Sequence, residues 1–221
     1  MPDEDLRQKE LKEDANYKDW ISAGHIITSP GPLILWEQVI DYIKDLMRSD
    51  NVQGMAYDHY GFGQFLEKLD DHGVPYTDVP GKANKDVLLV VPHGQGVAGG
   101  VAASEQVMKE KKQPGKKRRV SPRLWMPESI TNFEEDILHQ NIEFEQNPVL
   151  TWAVFAAQLE DDGRSNRTFA KGQLKGKIDA LLASVMSHGL ALKMRRRRGG
   201  STLLEALINQ PRGKGKKAKV A

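Results

Sequence analysis

The sequence contains no cysteine among its 221 residues. This absence excludes a disulfide framework, a metal site built on thiolates and a cysteine nucleophile, and it is compatible with a reducing cytoplasm. No apolar run is long enough to cross a membrane, and the acidic N-terminus does not resemble a signal peptide. No Gly-x-x-x-x-Gly-Lys-Ser/Thr motif occurs, so the chain has no phosphate-binding loop of that kind. What remains, 39% hydrophobic and 28% charged residues, is typical of a globular protein with polar tails.

The formal net charge of +2 conceals a strong separation of charge along the chain. Residues 1–20 lean acidic, whereas residues 109–119 and 193–219 are heavily basic. Basic segments of this kind favour a polyanionic partner, because Lys and Arg neutralise backbone phosphates. The alternative is that both are solvated segments without a partner. The residues for which we predict phosphate contacts are Lys116, Lys117, Arg118, Arg119, Arg195, Arg196, Arg197 and Arg198.

Apolar periodicity in the first part of the chain predicts an α/β protein. A charged helix is expected before residue 24, and three short strands then alternate with two amphipathic helices. The strands are predicted at residues 25–29, 52–57 and 74–79, and the helices at residues 33–47 and 62–72. Such alternation implies a sheet with parallel pairing that is covered by helices.

Residues 81–120 interrupt this alternation. Residues 87–91 resemble a strand, and glycines follow from Gly94 to Gly99 at the spacing of a dinucleotide-binding fingerprint. No second strand ending in an acid follows about twenty residues later, where a ribose partner is required. We therefore interpret residues 81–120 as an inserted, partly disordered basic loop.

Ordered structure is expected again after this loop. Residues 126–141 have the apolar pattern of a helix with one buried face. Residues 148–157 are apolar throughout and predict a buried helix or a helix that turns into a strand, and residues 160–167 form a turn-rich segment. Asp161 and Asp162 in that segment are potential cation ligands. Adjacent acids before a glycine are, however, more typical of turn chemistry.

Residues 172–190 carry the longest apolar stripe, and we predict a buried helix there around which the chain is organised. Asp179 is expected on its packed face, where an ionised carboxylate requires a cation or hydrogen-bond donors. Lys175, Lys177 or a metal ion would meet this requirement. The alternative is an ordinary acid in the first helical turn, which the helix dipole favours.

Asp58 is a second candidate ligand. It follows the strand predicted at residues 52–57, and ligands of open α/β sheets bind outside the carboxyl ends of strands. The alternative is that Asp58 caps the helix that begins near Phe62. Two separate acids at such positions strengthen the interpretation as a metal site.

Several short runs resemble, in their order and spacing, the C-terminal nuclease domain of tailed-phage large terminases. The resemblance extends over residues 10–192. Its motifs are Trp20, Gly24, Pro30, Gly31, Tyr57, Asp58, residues 124–130, residues 147–152, residues 161–166, Lys171 and residues 177–179.

This resemblance implies an RNase H-like fold, a mixed sheet flanked by helices, and a metal-dependent endonuclease that cuts concatemeric viral DNA during genome packaging. Asp58 and Asp179 match two acids that hold Mg²⁺ or Mn²⁺ in the family, and Lys171 matches a lysine of the pattern whose catalytic role stays open. The implied partners are double-stranded DNA, the small terminase subunit, the portal protein and a packaging ATPase domain. The implied location is the host cytoplasm.

The sequence departs from the family in what precedes the sheet. Family members carry an ATPase before the nuclease and a metal-binding acid on the opening strand; Asp3 and Asp5 are poor substitutes for that acid. We therefore expect a truncated nuclease domain at residues 1–192 and a basic tail at residues 193–221, in which a short apolar helix around Leu203, Leu204 and Leu207 precedes a disordered Lys/Gly end. Because a third acid is needed to hold two cations, we expect weak activity from the chain alone. The alternative is a catalytically incomplete DNA-binding or packaging-assembly module of the same fold.

Overall fold

The computed structural model describes residues 6–49, 52, 54–58, 62–96, 124–172 and 176–208, with only the backbone described at residues 80, 171 and 196–208. The helices are α1 Leu6–Glu13, α2 Tyr17–Ser22, α3 Trp36–Ser49, α4 Phe62–Asp71, α5 Met126–Leu138, α6 Pro148–Ala156 and α7 Asp179–Ile208, with one 3₁₀ turn at Pro80–Lys82. The strands are β1 Gly54–Asp58, β2 Tyr76–Thr77, β3 Leu88–Gly94, β4 Leu124–Trp125, β5 Ala157–Asp161 and β6 Arg167–Lys171.

The main sheet has four parallel strands with β3 at its centre. One side of β3 pairs with β1, and the other side pairs with β2 and β4. The residues of β3 from Leu88 to Val91 are buried, because helices cover both faces of a central parallel strand. Among the strands that the structure describes, β1 pairs on one side only and is therefore an edge. The predicted α/β class with parallel pairing is confirmed.

One face of the sheet packs against α3 and α4. Met55 of β1 contacts a core that α3 and α4 supply, and Tyr57 stacks on Phe62 with ring centroids 3.5 Å apart. The buried members of this core are Ile40, Phe65, Leu69 and Val74. Because side chains alternate along a strand, Gly54, Ala56 and Asp58 face the other way.

The opposite face of the sheet packs against α5 and α7. Ala56 contacts this second core, whose buried residues are Met126, Ile130, Phe133, Ala153, Leu181, Val185 and Met186. At Gly54, a side-chain Cβ would lie 3.2 Å from Leu190 and 3.3 Å from Met194. The absence of a side chain at Gly54 thus lets α7 lie close against β1.

The N-terminal helices pack against α6 through aromatic rings. The ring centroids of Trp20 and Trp152 are 5.3 Å apart, and Trp152 Nε1 donates to the carbonyl oxygen of Asp14 at 3.1 Å. The single helix predicted before residue 24 is wrong, because Asp14 has a φ of 52° and separates α1 from α2.

Two of the predicted strands need correction. Residues 25–29 do not form a strand. The backbone N–H groups of His25 and Ile26 both donate to the carbonyl oxygen of Trp20, so the chain bends there, and only Ser29 takes part in an isolated β-bridge. The strand predicted at residues 74–79 contains only Tyr76–Thr77.

The inserted loop predicted at residues 81–120 begins too early. Residues 88–94 within it form β3, and their burial on both faces makes them the centre of the sheet. Residues 97–120 lie outside the described residues, so that part of the loop stays a prediction.

Helix α7 differs from the prediction at both ends. It begins at Asp179 instead of near residue 172, and it continues without a break through the basic run at residues 195–198 to Ile208, so the short helix predicted around Leu204 is part of α7. Residues 209–221 lie outside the described part. None of the described helices combines the length and apolar character that crossing a membrane requires.

The segment predicted as a turn-rich loop is the tip of a hairpin. Strands β5 and β6 pair antiparallel, and Arg167 binds Glu134 of α5 through two hydrogen bonds of 3.0 and 2.5 Å. The carboxylates of Asp161 and Asp162 accept backbone N–H groups within the turn, which confirms the predicted turn chemistry.

Candidate functional site

An open cleft of about 500 Å³ lies between β1 and the first turns of α7. Residues of α7, most of them apolar, line one wall, and residues 54–58 of β1 line the other. The polar residues that line it are Asp58, Gln95, Asp179 and Ser187. The two acids that we predicted as metal ligands thus line the same cleft.

Asp58 ends β1 at the carboxyl edge of the parallel sheet. In the β1–β3 ladder it lies opposite His93, and its side chain is exposed. The exposure follows from its position, because β1 ends at Asp58 and the apolar contacts of the strand lie before it. The alternative that Asp58 caps α4 involves residues 59–61, which lie outside the described residues.

Asp179 is the first residue of α7 and is also exposed, which corrects the prediction that it lies on a packed face. The buried stripe starts on either side of it, with Ile178 and Leu181. The reason is that the chain becomes helical only at Asp179, so its carboxylate lies at the open end of the first turn.

The N-terminal helices contribute charge next to Asp179. Lys177 Nζ lies 3.5 Å from Glu13 Oε1, and the Tyr17 hydroxyl donates to Glu13. Burial raises the pKa of Tyr17 most, and the hydrogen bond to Glu13 and the charge of Asp179 raise it further. Lys177 is therefore paired with Glu13 and does not act as the partner that we expected for Asp179.

The chemistry of the two carboxylates fits a hard divalent cation. Mg²⁺ prefers oxygen ligands, keeps several water molecules and is often bound by only one or two carboxylates. Among the described residues, however, no group of three His, Cys, Asp or Glu side chains is placed to hold a metal. The described part of the site thus suits one cation better than two.

The remaining predicted site residues are only partly described. Lys171 ends β6 opposite Ala157, and its side chain lies outside the described part. Arg195 is exposed on α7. Residues 196–198 continue the helix, and only their backbone is described. Lys116, Lys117, Arg118 and Arg119 lie outside the described residues.

A buried polar contact between β3 and α5 was not predicted from the sequence. His93 is 1% exposed; its Nδ1 lies 3.2 Å from the carbonyl oxygen of Gly94, and its Nε2 lies 3.0 Å from Ser129 Oγ. Because a carbonyl only accepts, Nδ1 carries the proton and Ser129 donates to Nε2. Burial lowers the pKa of His93 to about 4, so the ring is neutral at pH 7.

Gly189 of α7 makes this contact possible. A Cβ at Gly189 would lie 2.4 Å from Ser129 Oγ and 3.9 Å from His93 Nε2. A glycine inside a helical pattern commonly has a packing reason, so Gly189 is the one feature of the sequence from which a close contact of α7 could have been predicted.

Gln95 in the cleft was not predicted from the sequence either. It follows β3 directly and lines the cleft, and its Nε2 donates to Met186 Sδ at 3.5 Å. The sequence offered no signal for it, because the residue fell inside the predicted loop.

The comparisons with known proteins agree with the expected resemblance. No family model matches the chain. The large terminase subunit of Enterobacteria phage HK97 is 23% identical over 190 residues, which are 86% of this chain and 30% of that protein. The crystal structure of the HK97 bacteriophage large terminase matches with a TM-score of 0.63 at 23% identity, over 86% of this chain and 32% of that one. The chain spans about a third of the length of these relatives, and in both sequence and fold it is similar to a phage large terminase, as predicted.

Proposed function

We propose that this chain is a metal-dependent DNA endonuclease domain of a phage terminase large subunit, and that it cuts concatemeric viral DNA during genome packaging. The observation that carries the proposal is that Asp58 and Asp179, far apart in sequence, line one open cleft at the carboxyl edge of a parallel sheet. The similarity to the HK97 large terminase supports the packaging context. Double-stranded DNA, the small terminase subunit, the portal protein and a packaging ATPase domain are the proposed partners, in the host cytoplasm.

In this proposal Asp58 and Asp179 bind Mg²⁺ or Mn²⁺. When bound, such an ion stabilises charge on the phosphate and activates water for attack. Both carboxylates are exposed, so a DNA phosphate has access to an ion between them. Two carboxylates balance the charge of one divalent ion, which is why we expect low activity from this chain. Lys171 stays a candidate catalytic residue.

The two basic runs are proposed to bind the DNA backbone. The exposed position of Arg195 on the surface of α7 supports this for the run Arg195–Arg198. Contacts of this kind are independent of DNA sequence and weaken steeply with salt. We propose the same role for Lys116, Lys117, Arg118 and Arg119.

A plasmid-nicking assay with Mg²⁺ or Mn²⁺ tests the proposal. We expect slow, metal-dependent nicking by the wild-type chain and a loss of about 100-fold or more in Asp58→Asn and in Asp179→Asn, because each removes a ligand charge. Asp161→Asn is the matched control, since Asp161 is an exposed acid that serves the hairpin turn. Raising the salt concentration should weaken DNA binding before it affects metal binding.

Equal nicking by the wild type and both Asn variants would show that Asp58 and Asp179 hold no catalytic metal. DNA binding without any metal-dependent nicking by the wild type would instead support the DNA-binding or packaging-assembly module.

A further inference from the structure

Gln95 adds a neutral amide to a cleft whose other strongly polar groups are two carboxylates. We infer that Gln95 binds a DNA backbone phosphate beside the one that is cleaved, by donating its side-chain N–H₂ to a phosphate oxygen. This inference rests on the proposed nuclease function and names a substrate contact within the same site.

The backbone around Gln95 is held in place by β4. Gly94 pairs with Trp125 in the sheet, and Trp125 Nε1 donates to the carbonyl oxygen of Gly96 at 2.9 Å. Gly94 and Gly96, the two neighbours of Gln95, are therefore both held by Trp125. A binding side chain is most effective when its support is rigid, because little conformational entropy is lost on binding.

The side chain of Gln95 faces α7. His93, two residues earlier, contacts Ser129 on that side, and residues two apart in a strand share a face. The contact between Gln95 Nε2 and Met186 Sδ agrees with this direction. Asp58 faces the same helix from the neighbouring strand, so the amide and the carboxylate line one cleft.

The amide N–H₂ group is bound to a weak acceptor. A thioether sulfur is a poor hydrogen-bond acceptor, and the contact to Met186 Sδ is 3.5 Å long. A charged phosphate oxygen forms a shorter and stronger bond with the same donor. When the Gln95 amide leaves Met186 Sδ and donates to a phosphate oxygen instead, the change of acceptor therefore favours binding. The loss of this weak hydrogen bond costs Met186 little, because its side chain stays buried in the apolar core.

The spacing along α7 places Gln95 beyond the first turn of the helix. Gln95 contacts Met186, seven residues after Asp179, and the Cα positions of two residues seven apart in an α-helix are separated by about 10 Å along the axis. We therefore assign Gln95 to a phosphate next to the one at the metal, and not to the metal itself. A neutral donor there adds no negative charge to a cleft that already contains two carboxylates.

The experiment compares Gln95→Leu and Gln95→Glu in the full chain. Duplex affinity is measured by fluorescence anisotropy in an Asp179→Asn background with Mg²⁺ present, where we propose that the DNA stays intact. We expect Gln95→Leu to weaken duplex binding about tenfold, and Gln95→Glu to weaken it further because a carboxylate repels phosphate. Gln158→Glu on exposed β5 makes the same charge change outside the cleft and should have little effect.

Mn²⁺ affinity, measured by calorimetry without DNA, separates the possible outcomes. With Asp179 intact, we expect Gln95→Leu to bind Mn²⁺ as the wild type does and, if nicking is detectable, to raise KM more than it lowers kcat. Duplex affinity unchanged by both Gln95 variants would overturn the inference, and so would weaker Mn²⁺ binding by Gln95→Leu, which would make Gln95 a metal ligand. Failure of the proposed nuclease function has a different signature: Mn²⁺ affinity unchanged by Asp58→Asn and Asp179→Asn.

Discussion

Helix α7 meets the sheet through two polar regions that are built in opposite ways. The buried crossing consists of His93, Ser129 and Gly189, all of them enclosed and joined by hydrogen bonds or close packing. The open cleft contains Asp58 and Asp179, which are both exposed. About 15 Å of helix, or ten residues, separates Gly189 from Asp179.

The difference between them shows how the surroundings of a polar group decide its role. In the buried crossing, the imidazole and the hydroxyl satisfy each other, because an unpartnered polar group away from water is costly. In the open cleft, both carboxylates are exposed to water, so a cation or a substrate can reach them. The first region holds the fold together, and the second is available to a ligand.

The two regions are also neighbours in the sheet. His93 of the buried crossing lies directly opposite Asp58 in the β1–β3 ladder. Three predictions test the comparison, in order of expected effect.

The largest effect is expected from the pH dependence of His93. The pKa of His93 is lowered from 6.5 to about 4 in the folded protein, so between these values the unfolded chain binds a proton that the folded one does not. Its contribution to stability is present above pH 6.5 and is lost as the pH falls towards 4, by roughly 3 kcal/mol. Urea unfolding at a series of pH values should therefore show a shallower acid loss in His93→Gln.

His139→Gln is the control for this experiment, because His139 is an exposed histidine on the surface of the protein. Parallel stability curves for the wild type and His93→Gln between pH 6.5 and 4 would contradict the assignment of a neutral, buried His93.

A smaller effect is expected from closing the gap at Gly189. In Gly189→Ala the new Cβ would lie 2.4 Å from Ser129 Oγ, so α7 or α5 must shift. Overpacking of this kind costs about 1–3 kcal/mol, more than the gain of up to about 1 kcal/mol that alanine brings to a helix. The measurement is the free energy of unfolding in urea.

Gly63→Ala in α4 is the matched control, because no atom lies within 4 Å of its Cβ position and the helix propensity acts alone. An equal gain in stability at both glycines would show that α7 does not need the close approach at Gly189.

The smallest effect on the free protein is expected in the open cleft. Asp58→Asn and Asp179→Asn should change the free energy of unfolding by less than about 0.5 kcal/mol without metal, because exposed substitutions rarely do more. Mn²⁺ at ten times its Kd should stabilise the wild type by about 1.4 kcal/mol and leave both variants unaffected. Thermal unfolding with and without Mn²⁺ measures both quantities. Equal stabilisation of the wild type and both variants by Mn²⁺ would contradict the interpretation of the open cleft as the metal-binding region.

Local patterns in the sequence determined most of the elements. Apolar spacing predicted α3, α4, α5, α6 and β1, because the period of a helix or a strand is a property of neighbouring residues. The position of an acid after a strand or at the start of a helix singled out Asp58 and Asp179 as candidates in the same way. The resemblance to large terminases was also detectable from the order of short motifs, and the sequence similarity to the HK97 large terminase subunit agrees with it.

Tertiary structure alone decided which strand is central and which polar groups are buried. β3 was mistaken for part of a loop because only its pairing with β1, β2 and β4 places it at the centre of the sheet. The contact of His93 with Ser129, and the position of Gln95 in one cleft with Asp58 and Asp179, join residues far apart in the chain. Such contacts depend on how helices pack across the sheet, and no local period in the sequence encodes that packing.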